Sequence, residues 1–168
     1  EGCPGVFDFG RWPTGDAGAE PIAAAFRSAG FDALARPDID QWKRGKLVSN
    51  LPGALQAAGV PHDAAQAEAL IAEGARVLEA AGLPFISGQA LEARAASVRH
   101  APIDGARRPG GSLWQSRRRG LPTEAAWLNG YVVRLGARVG VPTPLNQAAV
   151  EALSPAAGAS PLPASPRR

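Results

Sequence analysis

Trp42-Lys43-Arg44-Gly45-Lys46-Leu47-Val48-Ser49-Asn50 opens the part of this chain whose pattern decides its architecture. Extended by a few residues, it sets Leu47, Leu51 and Leu55 four apart, an apolar row at helical spacing. Asp38 is a candidate cap, and the helix is expected to run to about Ala58, with Gly59 and Pro61 ending it. Pro52 lies inside and should kink it, because proline removes one backbone bond and crowds the preceding turn. Lys46 and Asn50 are also four apart, so both project from one helical face beside the leucine row.

Working outward, the same period continues. Asp63 caps a helix expected to reach Ala81, with Leu70, Ile71, Gly74, Leu78 and Ala81 on its buried face. Gly74 on that face implies close approach of a neighbouring helix. Residues 87–99 read as a third helix and 100–111 as a loop. A second polar cluster follows: Ser112-Leu113-Trp114-Gln115-Ser116-Arg117-Arg118-Arg119-Gly120-Leu121-Pro122-Thr123-Glu124, continuing to Asn129-Gly130. It reads as a short helix over 112–119, a break at Gly120 and Pro122, and a long helix over 123–139 striped by Leu128, Val132, Leu135 and Val139. A rigid turn, Gly140-Val141-Pro142-Thr143-Pro144, leads to a last helix over 146–153. Residues 154–168 are rich in proline, alanine and serine, lack a core pattern and read as disordered. Upstream, strand candidates at 5–10 and 31–35 flank a helix over 16–30, with Pro21 in its first turn and Gly30 as its stop. The expected fold is therefore mainly α: a β-α-β segment over 1–36, a helical domain over 37–153 and a tail.

Composition agrees with a helical chain. Its 168 residues suit one domain with an appendage, and much of the hydrophobic content is alanine, the best helix former. The lone Cys3 excludes an internal disulfide. No apolar run approaches a membrane span, and no signal peptide is legible, so a soluble cytoplasmic protein with no membrane partner is expected. A net charge of +3 is mild and forms no continuous basic face. Nucleic acid is accordingly not an expected partner, and an anionic small molecule suits the same charge. The chain begins with Glu1 and contains no methionine. A processed product, a fragment or an incomplete gene model is expected.

The two clusters offer a lysine, a carboxylate, a serine and amides, a set that suits a carbonyl-bearing acid. Lys46, at the border of the apolar row, is placed for partial desolvation, which favours its neutral form and proton donation to a carbonyl oxygen. On spacing alone the commoner reading is an exposed lysine whose stem lies over the apolar edge. Glu124 in a first helical turn is stabilised by the dipole with no further role needed. Ser112 reads as a plain N-cap, and Asn129 can serve packing alone. His62 and His100 are isolated, so no metal site is expected. Arg117-Arg118-Arg119 reads as a solvated face, or as a contact for cofactor phosphates.

Three runs taken together carry a resemblance: Trp42…Lys46-Leu47…Asn50; Ser112…Gln115…Gly120…Pro122-Thr123-Glu124…Leu128-Asn129-Gly130; and Gly140-Val141-Pro142-Thr143-Pro144…Asn146. In this order they resemble the C-terminal substrate domain of the ketopantoate reductase (2-dehydropantoate 2-reductase) family, over about residues 5–153. The resemblance implies a helical domain similar to that of 6-phosphogluconate-dehydrogenase-like enzymes, preceded by the end of a Rossmann-type domain. It implies NADPH-dependent reduction of 2-dehydropantoate to pantoate, a step of pantothenate and coenzyme A synthesis. Lys46 then matches the lysine that protonates the ketone oxygen, and Glu124 the carboxylate that orients the substrate hydroxyl. Asn50 and Ser112 match residues that hold the substrate. A homodimer is compatible with it.

There are departures. Where the family usually has a second asparagine, about one turn after the first, this chain has Leu51-Pro52-Gly53-Ala54. Acidic residues common in the family are replaced by Ser116 and Ala126. No G-x-G-x-x-G occurs, so the chain alone is expected neither to bind NADPH well nor to turn over. Two other readings stay open: a reductase of another 2-keto acid, and a non-catalytic helical interaction or dimerisation module. Weak nucleic-acid binding would require steep salt dependence.

Overall fold

Two four-residue strands, β1 (Val6–Phe9) and β2 (Asp32–Ala35), pair in parallel with Val6 opposite Asp32 and Phe9 opposite Ala35. A parallel pair needs a crossover, and α1 (Glu20–Ser28) supplies it, preceded by a 3-10 turn at Ala17–Ala19. Alternate residues of a strand point to opposite faces. Phe7 and Phe9 accordingly meet Phe26 of α1, each with ring centroids 4.8 Å apart, and Phe7 meets Phe31 edge-on at 5.1 Å. Ala23 and Ala33 are fully buried.

This is a computed structural model, and it describes residues 3–12, 17–99 and 110–153. The readings of 154–168 as disordered and of 100–109 as loop lie outside the described residues. The chain divides into two units: Glu1–Lys46 with Pro84–Arg107, and Leu47–Leu83 with Arg108–Arg168. The sequence boundary at residue 36 falls inside the first unit, which also takes in the start of α2 (Ile39–Asn50) and α5 (Gly88–Ala95).

Charge explains why α5 joins the strands. On the face opposite the phenylalanines, Arg94 of α5 donates from Nε to Asp8 at 3.1 Å and from Nη1 to Asp32 at 2.6 Å. Arg36 donates to the same Asp8 carboxylate at 3.3 Å. The forked guanidinium matches two carboxylates that adjacent strands bring side by side. In α2, Gly45 lies directly against the backbone of Ile86, where a side chain would collide with the Ile86 carbonyl oxygen.

The Arg94 hydrogen bond holds the Asp32 carboxyl below its ordinary value of 3.8. A carboxyl depressed in the folded state adds stability above its unfolded pKa, and that stability is lost as pH falls through the lower folded value. Asp32 is about one-third exposed, so water screens part of the effect. Arg94→Ala is expected to destabilise the chain at pH 7, with a difference from wild type that narrows below pH ~3.8 as the aspartates protonate. Urea unfolding at pH 7 and pH 3 checks this; an equal gap at both would discount the ion cluster.

The second unit is helical. It holds the end of α2, then α3 (Gly53–Ala58), α4 (Ala64–Ala80), α6 (Ser112–Arg118), α7 (Asn129–Val139) and α8 (Pro144–Leu153). The mainly helical fold with a short parallel strand pair is the expected one. Asp63 caps α4 through a full capping box with Gln66, and Ser87 caps α5 by accepting from the Ala90 N–H. Leu51, Val77 and Val132 are fully buried together, and a Cβ built on Gly74 would stand 2.5 Å from Leu51 Cδ1. Gly74 is thus the close-approach point expected of it.

Three elements differ from expectation. The helix expected over 87–99 ends at Ala95, and Val98 instead forms a parallel bridge with Cys3. The helix expected over 38–58 is two helices: α2 ends at Asn50 and α3 starts at Gly53. Pro52 has no N–H to continue the ladder, so the kink becomes a break. The helix expected over 123–139 starts only at Asn129, after a 3-10 turn at Glu124–Ala126. Leu128, at φ −90° and ψ −82°, is outside helical geometry and separates the two.

Candidate active site

Within the second unit an open cleft of about 200 Å³ is lined by Ser49, Asn50, Gly53, Gly111, Ser112 and Leu113. Asn50 reaches it from the last residue of α2, and Ser112 from the first residue of α6. Two of the four residues singled out in the sequence, 62 positions apart, are therefore brought to one place. The local structure explains their availability. Gly111, not Ser112, occupies the N-cap of α6, so the expected capping role of Ser112 is replaced by a position just inside the helix. Both Asn50 and Ser112 are exposed. The far wall is pinned by Gln56, whose side-chain oxygen accepts the Gly111 N–H at 3.1 Å.

Lys46 stands one helical turn before Asn50 on α2 and is exposed. The partial burial expected at the edge of the leucine row is not found, because Leu47, Val48 and Leu51 turn inward and leave Lys46 on the solvent side. Glu124 opens the 3-10 turn, exposed, and does not line the cleft. Its expected place in the first turn of the long helix is corrected to this turn, tied to the helix by the Trp127 and Leu128 N–H groups, which both donate to the Glu124 carbonyl at 2.9 Å. In the arginine run, the Arg118 guanidinium lies 5.0 Å from the Trp114 ring centroid, a cation–π contact.

One polar group escaped the sequence reading. Glu73 of α4 is 2% exposed and accepts from the Leu145 and Asn146 N–H groups at 3.1 and 2.8 Å. It caps α8 from another helix, where the helix N-terminus favours a negative charge. The available signal was its place between Leu70, Gly74 and Val77 on an apolar stripe.

The stretch Leu51-Pro52-Gly53-Ala54, where the sequence resemblance implies a second asparagine, differs in room from residue to residue. Gly53 lines the cleft, and a Cβ there would meet only Leu113 Cδ1, at 3.8 Å. Ala54 is fully buried in the core. Gly53→Asn is therefore expected to fold and to keep stability within about 1 kcal/mol, read by urea unfolding. Ala54→Asn should instead lose stability by about 1–3 kcal/mol through a buried amide.

At the end of β1, a Cβ on Gly10 would collide with Ile39 and the Arg36 carbonyl, so that position is closed to a side chain. Among the described residues no helix is long and apolar enough to cross a membrane, and no cluster of metal-ligating side chains occurs.

Comparison with known proteins makes the class of this helical unit with its polar cleft specific. The family model for the ketopantoate reductase PanE/ApbA C-terminal domain matches residues 46–157, more than half of the chain. The chain belongs to the ketopantoate reductase family, through that C-terminal domain. No curated protein matches it. Among solved structures, it is similar to 2-dehydropantoate 2-reductase from Methylococcus capsulatus, with a TM-score of 0.66 at 23% identity, over 86% of this chain and 52% of that one. It is also similar to a ketopantoate reductase from Staphylococcus aureus described as dimeric, with a TM-score of 0.63 at 21% identity, over 83% of this chain and 50% of that one. D-mandelate dehydrogenase, solved with NADH, gives a TM-score of 0.60 at 19% identity, over 82% of this chain and 48% of that one. The chain thus spans about half the length of these structures, and at such identities the likeness is one of fold.

Proposed function

We propose that this chain is the substrate half of an NADPH-dependent reductase that converts 2-dehydropantoate to pantoate. Residues 37–153 form the substrate domain in this reading, and 1–36 are the end of a nucleotide-binding domain. The observation that carries it is the convergence of Asn50 and Ser112 on one cleft in a chain of this family. Their amide and hydroxyl hold the carboxylate and keto group of a 2-keto acid. Lys46 stabilises the charge that develops on the ketone oxygen and delivers the proton there. Glu124 accepts a hydrogen bond from the substrate hydroxyl and orients it.

The reading requires a nicotinamide dinucleotide, for which these 168 residues carry no G-x-G-x-x-G fingerprint. A homodimer in the cytoplasm belongs to the same proposal, with no membrane or nucleic-acid partner. Gly53, which lines the cleft within the stretch where the family usually has a second asparagine, favours a second reading: reduction of a different 2-keto acid.

The test is nucleotide oxidation by this chain together with its cofactor domain. 2-Dehydropantoate is compared with other branched and aromatic 2-keto acids, and NADPH with NADH. Preference for 2-dehydropantoate and NADPH supports the first reading, and preference for another acid the second. Absence of any substrate-dependent oxidation would leave a non-catalytic helical module.

A further inference from the structure

Asn129 is fully buried at the first position of α7 and crosses to another segment of the second unit. Its side-chain Nδ2 donates to the Leu51 carbonyl at 3.2 Å and to Asn146 Oδ1 at 2.9 Å. Asn146, also fully buried, donates from Nδ2 to Glu73 Oε1 at 2.9 Å. The Glu73 carboxylate is thereby the fixed end of a chain that runs Glu73, Asn146, Asn129, Leu51.

The amide orientation follows from its neighbours. Turning the Asn129 side chain over would set its oxygen against two acceptors, the Leu51 carbonyl and Asn146 Oδ1. As it stands, Asn129 Oδ1 is buried with no hydrogen-bond partner among the described residues. The two things this side chain joins are specific. Leu51 directly follows Asn50, at the break where Pro52 ends the α2 ladder. Asn129 directly follows the segment whose N–H groups bond the Glu124 carbonyl.

We propose that Asn129, held by Asn146 and Glu73, is a positioning residue. Its buried amide fixes the end of α2 that carries Asn50 relative to the turn that carries Glu124. The kinetic meaning of this rests on the reductase reading above, but the geometric coupling does not.

The experiment has two arms. In the first, amide spectra of the 168-residue chain are compared for wild type, Asn129→Ala, Asn129→Ser and the control Val77→Ala, a fully buried residue of the same unit. All are recorded well below their melting temperatures, with folding checked by circular dichroism. The Asn129 variants should shift or broaden the Asn50 and Glu124 signals well beyond the change in Val77→Ala. Equal perturbation by the control overturns the proposal. Failure of both Asn129 variants to fold also overturns it, since the residue would then serve folding alone.

In the second arm, Asn129→Ser is assayed in the protein with its cofactor domain. A loss of about ten-fold or more in kcat/KM for the 2-keto acid is expected, with the nucleotide KM unchanged within about two-fold. An active wild type with an unaffected Asn129→Ser overturns positioning while leaving the reductase intact. A coupled spectrum with no turnover in wild type overturns the reductase while leaving the coupling intact.

Discussion

Lys46→Ala is expected to lower kcat by about 10²–10⁴-fold in the protein with its cofactor domain. Reduction of a ketone places negative charge on its oxygen, and no other cation is assigned there in the proposed mechanism. The residue is exposed on α2, so its removal opens no cavity and should move the melting temperature by no more than about 2 °C. Lys46→Arg keeps the charge but spreads it over a planar group that gives up its proton poorly, so an intermediate loss is expected. Ligand binding should weaken much less than turnover, because the interaction strengthens as charge develops. Steady-state kinetics with a melting curve on each variant decide the matter. A Lys46→Ala enzyme that retains a tenth or more of wild-type kcat would remove Lys46 from the chemistry.

Leu51→Ala should cost about 3–5 kcal/mol, near the upper end for a buried leucine. Leu51 is fully buried and packs with Val77 and Val132, and its Cδ1 occupies the space that a side chain at Gly74 would need. Its backbone also bears the carbonyl held by Asn129, so the surroundings have little freedom to collapse into the void. Gly74→Ala alone should cost about 1–3 kcal/mol through overpacking, less whatever alanine returns in helix propensity. Together the two changes should compensate, since the methyl at 74 enters space that Leu51→Ala vacates. A coupling of about 1–2 kcal/mol is expected from urea unfolding of the double-mutant cycle. Additivity of the two losses would show that Gly74 and Leu51 do not share that space.

The helical elements were legible where a signal and its consequence lie within a turn of each other. Asp63 and Gln66 satisfy each other's N–H groups three residues apart, and Ser87 accepts the Ala90 N–H at the same spacing. Gly59 and Gly140 end their helices at φ 72°, a conformation in which glycine alone is unstrained. Pro52 was visible as a disruption, but whether a proline kinks a helix or ends it depends on how the chain around it packs. One of the contacts at this break, from Asn129 to the Leu51 carbonyl, comes from 78 residues away. The residue types of the candidate site were equally visible, because Lys46 and Asn50 share a helical period and the family's motifs mark Ser112 and Glu124. The distance between the two clusters was not.

What the amino-acid order determined by itself is therefore local: helix periodicity, caps, stops, the β-α-β start and the set of chemical groups on offer. These depend on backbone sterics and on hydrogen bonds closed within about one turn. The tertiary structure alone decided that Asn50 and Ser112 line one cleft, that Glu124 sits on a 3-10 turn and that Gly53 has room for a side chain while Ala54 has none. It also decided that the carboxylate of Glu73 is buried in an apolar stripe. A buried charge is tolerable only when donors from elsewhere in the chain meet it, and the N-terminus of α8, more than 70 residues on, provides them.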